Sequence, residues 1–213
     1  MLFSRHVHTT FREFYGNEVL MEQDLKTFLE EVNATLSTLD YVHPETIPDI
    51  ELYMDQVLSF LDDKLQASKR NEEDKILTRT MINNYSKSGL LPSPVKKKYS
   101  RDHMLLLIFI YYFKNIMSIS DIRTVLGPVT EKYFNSEDGL DLKDIYAEVF
   151  SLEKGEILSM MKDLGRKYKV SSQTFADVPE EDRDELQKFT LLCMLSFDVY
   201  IKKIIIEQIV DNM

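Results

Sequence analysis

Thr80, Asn83, Asn84 and the run Lys96-Lys97-Lys98 are the residues of this 213-residue chain whose types and spacing best suit recognition chemistry. An asparagine amide pairs an acceptor with a donor and matches the major-groove edge of adenine. Asn83 and Asn84 are adjacent, with Thr80 one helical turn earlier, and these three form the base-reading set. Cations and phenolic hydroxyls suit phosphate oxygens. Tyr85, Lys87, Lys96, Lys97, Lys98, Tyr99 and Arg101 form the phosphate-contacting set. There is no nucleophile–base–acid set, no Gly-rich phosphate loop and no His-Glu-x-x-His pattern, which argues against an enzyme. The acidic residues are scattered rather than paired in apolar surroundings that would raise a pKa. His6 and His8 are spaced like a metal clip, yet no Cys or carboxylate cluster completes it, and no metal or cofactor is expected. His43 and His103 stand alone and read as structural or surface residues.

Charge sharpens this reading. The net charge is −10, which looks unsuited to a polyanion, but its distribution is uneven. Residues 1–74 carry a net of −10, residues 75–103 a net of +6, and residues 104–213 a net of −6. Local potential, rather than the total, steers a charged partner. Cys193 is the only cysteine, so neither a disulfide framework nor a thiolate zinc site can form, and a packed thiol is expected. The longest apolar run, Met104–Phe113, is about half of the ~20 residues a membrane span needs. No secretory pattern opens the chain. These features together point to a cytoplasmic protein.

The elements that must hold these residues are helical. The chain is 44% hydrophobic with only 6 Gly and 6 Pro, a composition suited to long helices and short connections. Met21, Leu25, Phe28, Leu29, Val32, Leu36 and Leu39 make one apolar stripe, ending before His43-Pro44. A second helix is expected from Pro48 or Asp49, with Leu52, Val57, Phe60 and Leu61 inward. Gln66–Asp74 reads as a solvated linker. Ile76–Tyr85 has helical character, with Gly89 placed for a left-handed cap. Leu90-Leu91-Pro92-Ser93-Pro94 is a rigid extended link to the lysines. Ser100 caps a Met104–Phe113 helix whose Tyr111 and Tyr112 face the core or pack at the helix edge, Ser118 and Asp121 cap another through Val125, and Gly127-Pro128 closes the unit. Asp141–Phe150 and Lys154–Leu164 are helical segments, and 171–181 is a loop. The last helix, Glu180–Asp211, carries Leu186, Phe189, Leu192, Phe197, Tyr200, Ile204 and Ile205 over more than one face, as a central or interface helix would.

The order short helix, Gly-Leu-Leu-Pro turn, basic link, apolar helix, capped helix resembles the MerR-type winged helix-turn-helix. The family pattern Thr-Ile-Arg-Tyr-Tyr-Glu-x-x-Gly-Leu-Leu-x-Pro is similar to Met81-Ile82-Asn83-Asn84-Tyr85-Ser86-Lys87-Ser88-Gly89-Leu90-Leu91-Pro92. Downstream, Lys96-Lys97-Lys98-Tyr99-Ser100-Arg101-Asp102-His103 and Ser118-Ile119-Ser120-Asp121-Ile122 resemble its basic wing and the two helix openings that follow. The departures are that the usual recognition-helix Arg and first Tyr fall at Asn83 and Asn84. The wing is also short, with no Gly turn, and a long insert separates Asp49–Leu61 from the recognition helix. The stretches Ile47–Val57 and Lys96–Ser100 further resemble a bacterial family whose domain has no assigned function, which implies a Gram-positive cytoplasmic protein.

The expectation is therefore a mainly α fold, a helical bundle containing a MerR-like winged helix-turn-helix with a very short wing. Its parts are residues 1–46 (an N-terminal helical segment), 47–128 (the module) and 129–213 (a sensing or dimerisation region). The expected function is a transcriptional regulator, with double-stranded DNA as partner and a possible homodimer through the C-terminal helix. The alternative is a winged-helix protein-interaction module that does not bind DNA. Acidic residues such as Glu72, Glu73 and Asp74 folding over the basic face would favour that alternative. A third reading is a small-molecule sensor with a pocket of Phe, Tyr and Met among the C-terminal helices.

Overall fold

The computed structural model describes residues 23–38, 41–136 and 139–213. His6, His8, Met21 and Leu39 lie outside them. The fold is mainly α, as expected. Helix α1 (Gln23–Thr38) turns Phe28, Leu29, Val32 and Leu36 to one side, as its stripe requires. A 3-10 turn at Pro44–Thr46 follows, and strand β1 (Leu52–Tyr53) leads directly into α2 (Met54–Leu65).

Helix α2 thus begins at Met54 rather than at Pro48 or Asp49. The reason is non-local. β1 pairs antiparallel with β2 (Lys98–Tyr99), Leu52 opposite Tyr99 and Tyr53 opposite Lys98. The backbone is held extended until Tyr53, whose N–H donates to Gln56 Oε1 at 2.9 Å and starts the helix. After a 3-10 turn at Gln66–Ser68 and an exposed polar stretch, α3 runs Arg79–Lys87. Its start is later than the expected Ile76, because Ile76 and Leu77 enter the core ahead of the helix and Thr78, in extended backbone, supplies the cap. The Met81 N–H donates to Thr78 Oγ1 at 3.2 Å.

Helix α4 (Arg101–Phe113) buries every residue from His103 to Tyr111, as expected of a helix apolar on all sides. It is the axis of the larger core, to which Val57 and Leu61 of α2, Ile82 and Tyr85 of α3, Leu90, Leu91 and Tyr99 also belong. Helix α5 (Ile119–Tyr133) opens with the expected cap, where Asp121 N–H donates to Ser118 Oγ and Ser118 N–H to Asp121 Oδ2, both 3.2 Å. It then continues through Gly127-Pro128 instead of ending there. Proline removes one helical hydrogen bond, but Leu126 is buried and Val129 packs on the core, so tertiary contacts hold the helix on both sides of the break.

Helices α6 (Leu142–Ser151), α7 (Glu153–Ser171) and α8 (Glu180–Val210) complete the chain. α7 extends beyond the expected Leu164. Leu164 and Ser171 are buried and Tyr168 packs beside them, stacking on Phe28 of α1 at 5.3 Å. A second, smaller core joins Leu29 of α1, Met161 and Leu164 of α7 and Leu191 of α8. Lys167 of α7 is buried and bridges Asp163 on its own helix and Asp198 on α8. That contact holds the Asp198 carboxyl below the usual carboxylate range. The larger core runs from Val42 to Tyr146 of α6, while α1 packs against α7, and α8 against α7 and α5. No helix among the described residues is long and apolar enough to cross a membrane.

Candidate nucleic-acid interface

The short helix α3 has two distinct sides. Ile82 and Tyr85 face the core, whereas Thr80, Asn83, Asn84 and Lys87 are all exposed. The exposed positions are spaced three, four and seven residues from Thr80, which places them in one stripe along the outer surface. Gly89 takes φ +74°, a conformation open to glycine. The chain then folds back, and the Leu90 and Leu91 N–H groups both donate to the Tyr85 carbonyl, at 2.9 and 3.1 Å. Leu90 and Leu91 are buried. The Gly-Leu-Leu sequence is thus a helix stop with two hydrophobic anchors, and it fixes the orientation of α3 on the core.

The lysine run forms a hairpin tip. Lys98 N–H donates to the Val95 carbonyl at 2.9 Å, and Val95 bridges Lys98 antiparallel. Lys96 and Lys97 take φ of 51° and 66°, as in a type I′ turn. The short wing therefore closes without the glycine that such turns favour. Both central lysines are exposed.

Four of the ten expected contact residues are placed otherwise. Tyr85 and Tyr99 are 5% and 3% exposed, and burial pushes both phenols above their ordinary pKa. Both pack the core, each as the inward residue of its element. Lys98 Nζ lies 3.3 Å from Glu51 and over the Tyr53 ring at 5.7 Å, and Arg101 pairs with Asp49 at 3.2 Å. Both cations are thus partly neutralised by the segment that leads into β1. Arg79, also on α3, pairs with Asp55. Thr80, Asn83, Asn84, Lys87, Lys96 and Lys97 remain exposed, and the lysines among them carry no ion pair with the described residues. Glu72, Glu73 and Asp74 are exposed, and Asp74 is engaged in closing a turn with Asn71 N–H at 3.0 Å.

The three carboxylates Asp49, Glu51 and Asp55 were not singled out from sequence. Their acidic cluster at the start of the second helix was a signal, but its partners lie 24 to 52 residues away and only the strand pairing brings them together. Nor was the exposed apolar trio Ile50, Tyr53 and Val95, which flanks the same hairpin at 54–66% exposure.

His103 ties the hairpin to the helices behind it. Its Nδ1 accepts the Ser100 N–H at 3.0 Å, and its ring meets Tyr99 and Phe134 edge-on at 5.4 and 4.8 Å. Asp102, beside it, accepts the Asn135 N–H at 2.6 Å, which links the start of α4 to the end of α5. Burial lowers the His103 pKa below its ordinary 6.5, with the Pro92 and Ser93 carbonyls acting in the opposite direction. Folding thus disfavours the charged ring, and the unfolded chain takes up the proton first. Stability should be fully present above pH 6.5 and fall as the pH drops below it. Urea midpoints measured between about pH 7.5 and 5.5 should show this decline. His103→Gln keeps an acceptor for the Ser100 N–H, and should flatten the slope; an unchanged slope would assign the decline to other groups.

Among the described residues no three His, Cys, Asp or Glu side chains converge as a metal set. Two surface depressions, about 560 and 340 Å³, are bordered by Pro48–Asp63 residues and by Ser68–Asn115 residues respectively, away from α6, α7 and α8.

The basic hairpin, the outward stripe of α3 and the large core behind them define a helical surface module. The model of a domain of unknown function, DUF1836, matches residues 42–149, and the chain belongs to this family. The matched stretch nearly coincides with the larger core, from Val42 to Tyr146. No curated protein and no solved structure matches the chain.

Proposed function

We propose that β1, α2, α3, the lysine hairpin and α4 act as a winged helix-turn-helix that binds double-stranded DNA. The observation that carries this reading is the single outward stripe of Thr80, Asn83, Asn84 and Lys87, flanked by the exposed Lys96-Lys97 tip. In this arrangement α3 enters the major groove, where the two amides meet base edges. Lys87, Lys96 and Lys97 contact phosphates and set the register. Lys98 and Arg101 keep their carboxylate partners and contribute little. The binding protein would then act as a transcriptional regulator.

The test is a salt titration of binding to fragments of the source genome. For every phosphate contact that Lys87→Ala, Lys96→Ala or Lys97→Ala removes, the log–log salt slope should flatten by about 0.9. Weaker binding to specific and random fragments alike is expected from these lysine changes. Absence of binding even at low salt, or binding indifferent to all three lysines, would refute the reading.

A second reading has its own support. Asp49, Glu51 and Asp55 crowd the base of the hairpin, and Ile50, Tyr53 and Val95 are exposed beside it. A mixed acidic and apolar surface of this kind suits a protein partner better than a polyanion. In that case Tyr53→Ala and Val95→Ser would weaken the partner complex and leave any DNA affinity unchanged.

A further inference from the structure

The longest helix of the fold has one side with no covering among the described residues. On the inner side of α8, Gln187 Nε2 donates to the Ser172 and Thr174 carbonyls at 2.8 and 2.9 Å, Leu191 is buried, Leu195 packs on the smaller core and Asp198 meets Lys167. On the other side, Phe189, Leu192, Phe197, Tyr200, Ile201 and Ile204 are 44–65% exposed. These positions recur at helical spacing and make a continuous apolar face. Six such side chains present on the order of 600 Å², and their flanking residues bring the face to about the 800 Å² that one partner contributes to a stable association.

We infer that this face is covered by the same face of a second copy, with the two α8 helices antiparallel. The charges select this occupant. Glu185 and Lys203 lie on the same flank of the apolar face, about five turns apart, and the long, exposed contact of Lys203 Nζ with Glu207 at 3.8 Å is one that a closer partner can replace. In an antiparallel pair like flanks meet, so Lys203 of each copy reaches Glu185 of the other, and the contact forms twice. The helix is acidic overall, with Glu180, Glu181 and Asp182 in its first turn, which disfavours an anionic lipid surface as the covering. The midpoint between Glu185 and Lys203 falls beside Cys193, which is partly buried and lies on the apolar side by helical spacing. The single cysteines of the two copies would face each other near the two-fold axis.

Sedimentation of the full reduced chain over a concentration series, without DNA, tests this independently of the proposed DNA binding. The chain is expected to dimerise, and Phe197→Glu with Tyr200→Glu should raise the dissociation constant at least about 100-fold without loss of helicity, since both side chains are exposed. Lys203→Glu alone and Glu185→Lys alone should each weaken association by up to about tenfold, and mixing the two variants should restore it. Mild oxidation should cross-link the parent dimer and leave Cys193→Ser unlinked. A monomer at about 100 µM, or a dimer indifferent to the Glu substitutions, would overturn the inference. Failure of the mixed variants to recover would overturn the antiparallel arrangement.

Discussion

Leu106→Ala should lower the stability of this protein by about 3–5 kcal/mol, as large an effect as a single side-chain truncation is expected to have in this fold. Leu106 is fully buried in α4, within the stretch from His103 to Tyr111 that has no solvent-facing side. Removing its three terminal carbons forfeits their transfer from water and leaves a cavity that the surrounding helices cannot collapse to fill. A domain typically holds only about 5–15 kcal/mol in total, so the variant should melt roughly 10 °C or more below the parent. Leu192→Ala is the control, because Leu192 is 62% exposed on α8. In dilute protein it should change stability by less than about 0.5 kcal/mol. A comparable destabilisation from both changes would mean that α4 is not the axis of the core.

The second large effect has opposite signs in two measurements. Lys96 and Lys97 both occupy left-handed backbone, which costs a side-chain-bearing residue about 1–2 kcal/mol. Asn-Gly is the dipeptide that type I′ turns prefer. Lys96→Asn combined with Lys97→Gly should therefore stabilise the fold by about 1–2 kcal/mol, after allowance for the greater freedom of glycine in the unfolded chain. The same change removes two of the three exposed lysines that carry the phosphate contacts of the proposed DNA surface. It should flatten the salt slope by about 1.8 and reduce affinity on any sequence. Strain held at a surface turn, where a better turn dipeptide exists, fits a position kept for binding. Thermal melts and a binding titration on one preparation check both signs. A variant that melts lower, or that binds DNA as well as the parent, would break the link between strain and function.

Much of the fold was legible because its signals are local. The α1 stripe, the Ser118–Asp121 cap, the left-handed Gly89 and the fully buried α4 each follow from residues within a turn or two of one another. The late start of α2 was not legible, since it depends on Leu52 and Tyr53 pairing with a strand more than forty residues on. Passage of α5 through Pro128 depends likewise on core contacts of Leu126 and Val129 that local propensity does not contain. The candidate site divides along the same line. The outward placement of Thr80, Asn83, Asn84 and Lys87 is a matter of helical spacing. The burial of Tyr85 and Tyr99, and the pairing of Lys98 and Arg101 with Glu51 and Asp49, come from elements distant in the chain. Under the proposed DNA-binding reading, the lysines left to meet phosphates are Lys87, Lys96 and Lys97.

The most direct test of the central claim is the affinity of Asn83→Ala and Asn84→Ala for a selected genomic site against random DNA of the same length, at one fixed salt concentration. If α3 reads bases, affinity for the selected site should fall by about 1–3 kcal/mol while affinity for random DNA stays nearly constant. An equal fall on both would contradict base reading by this stripe.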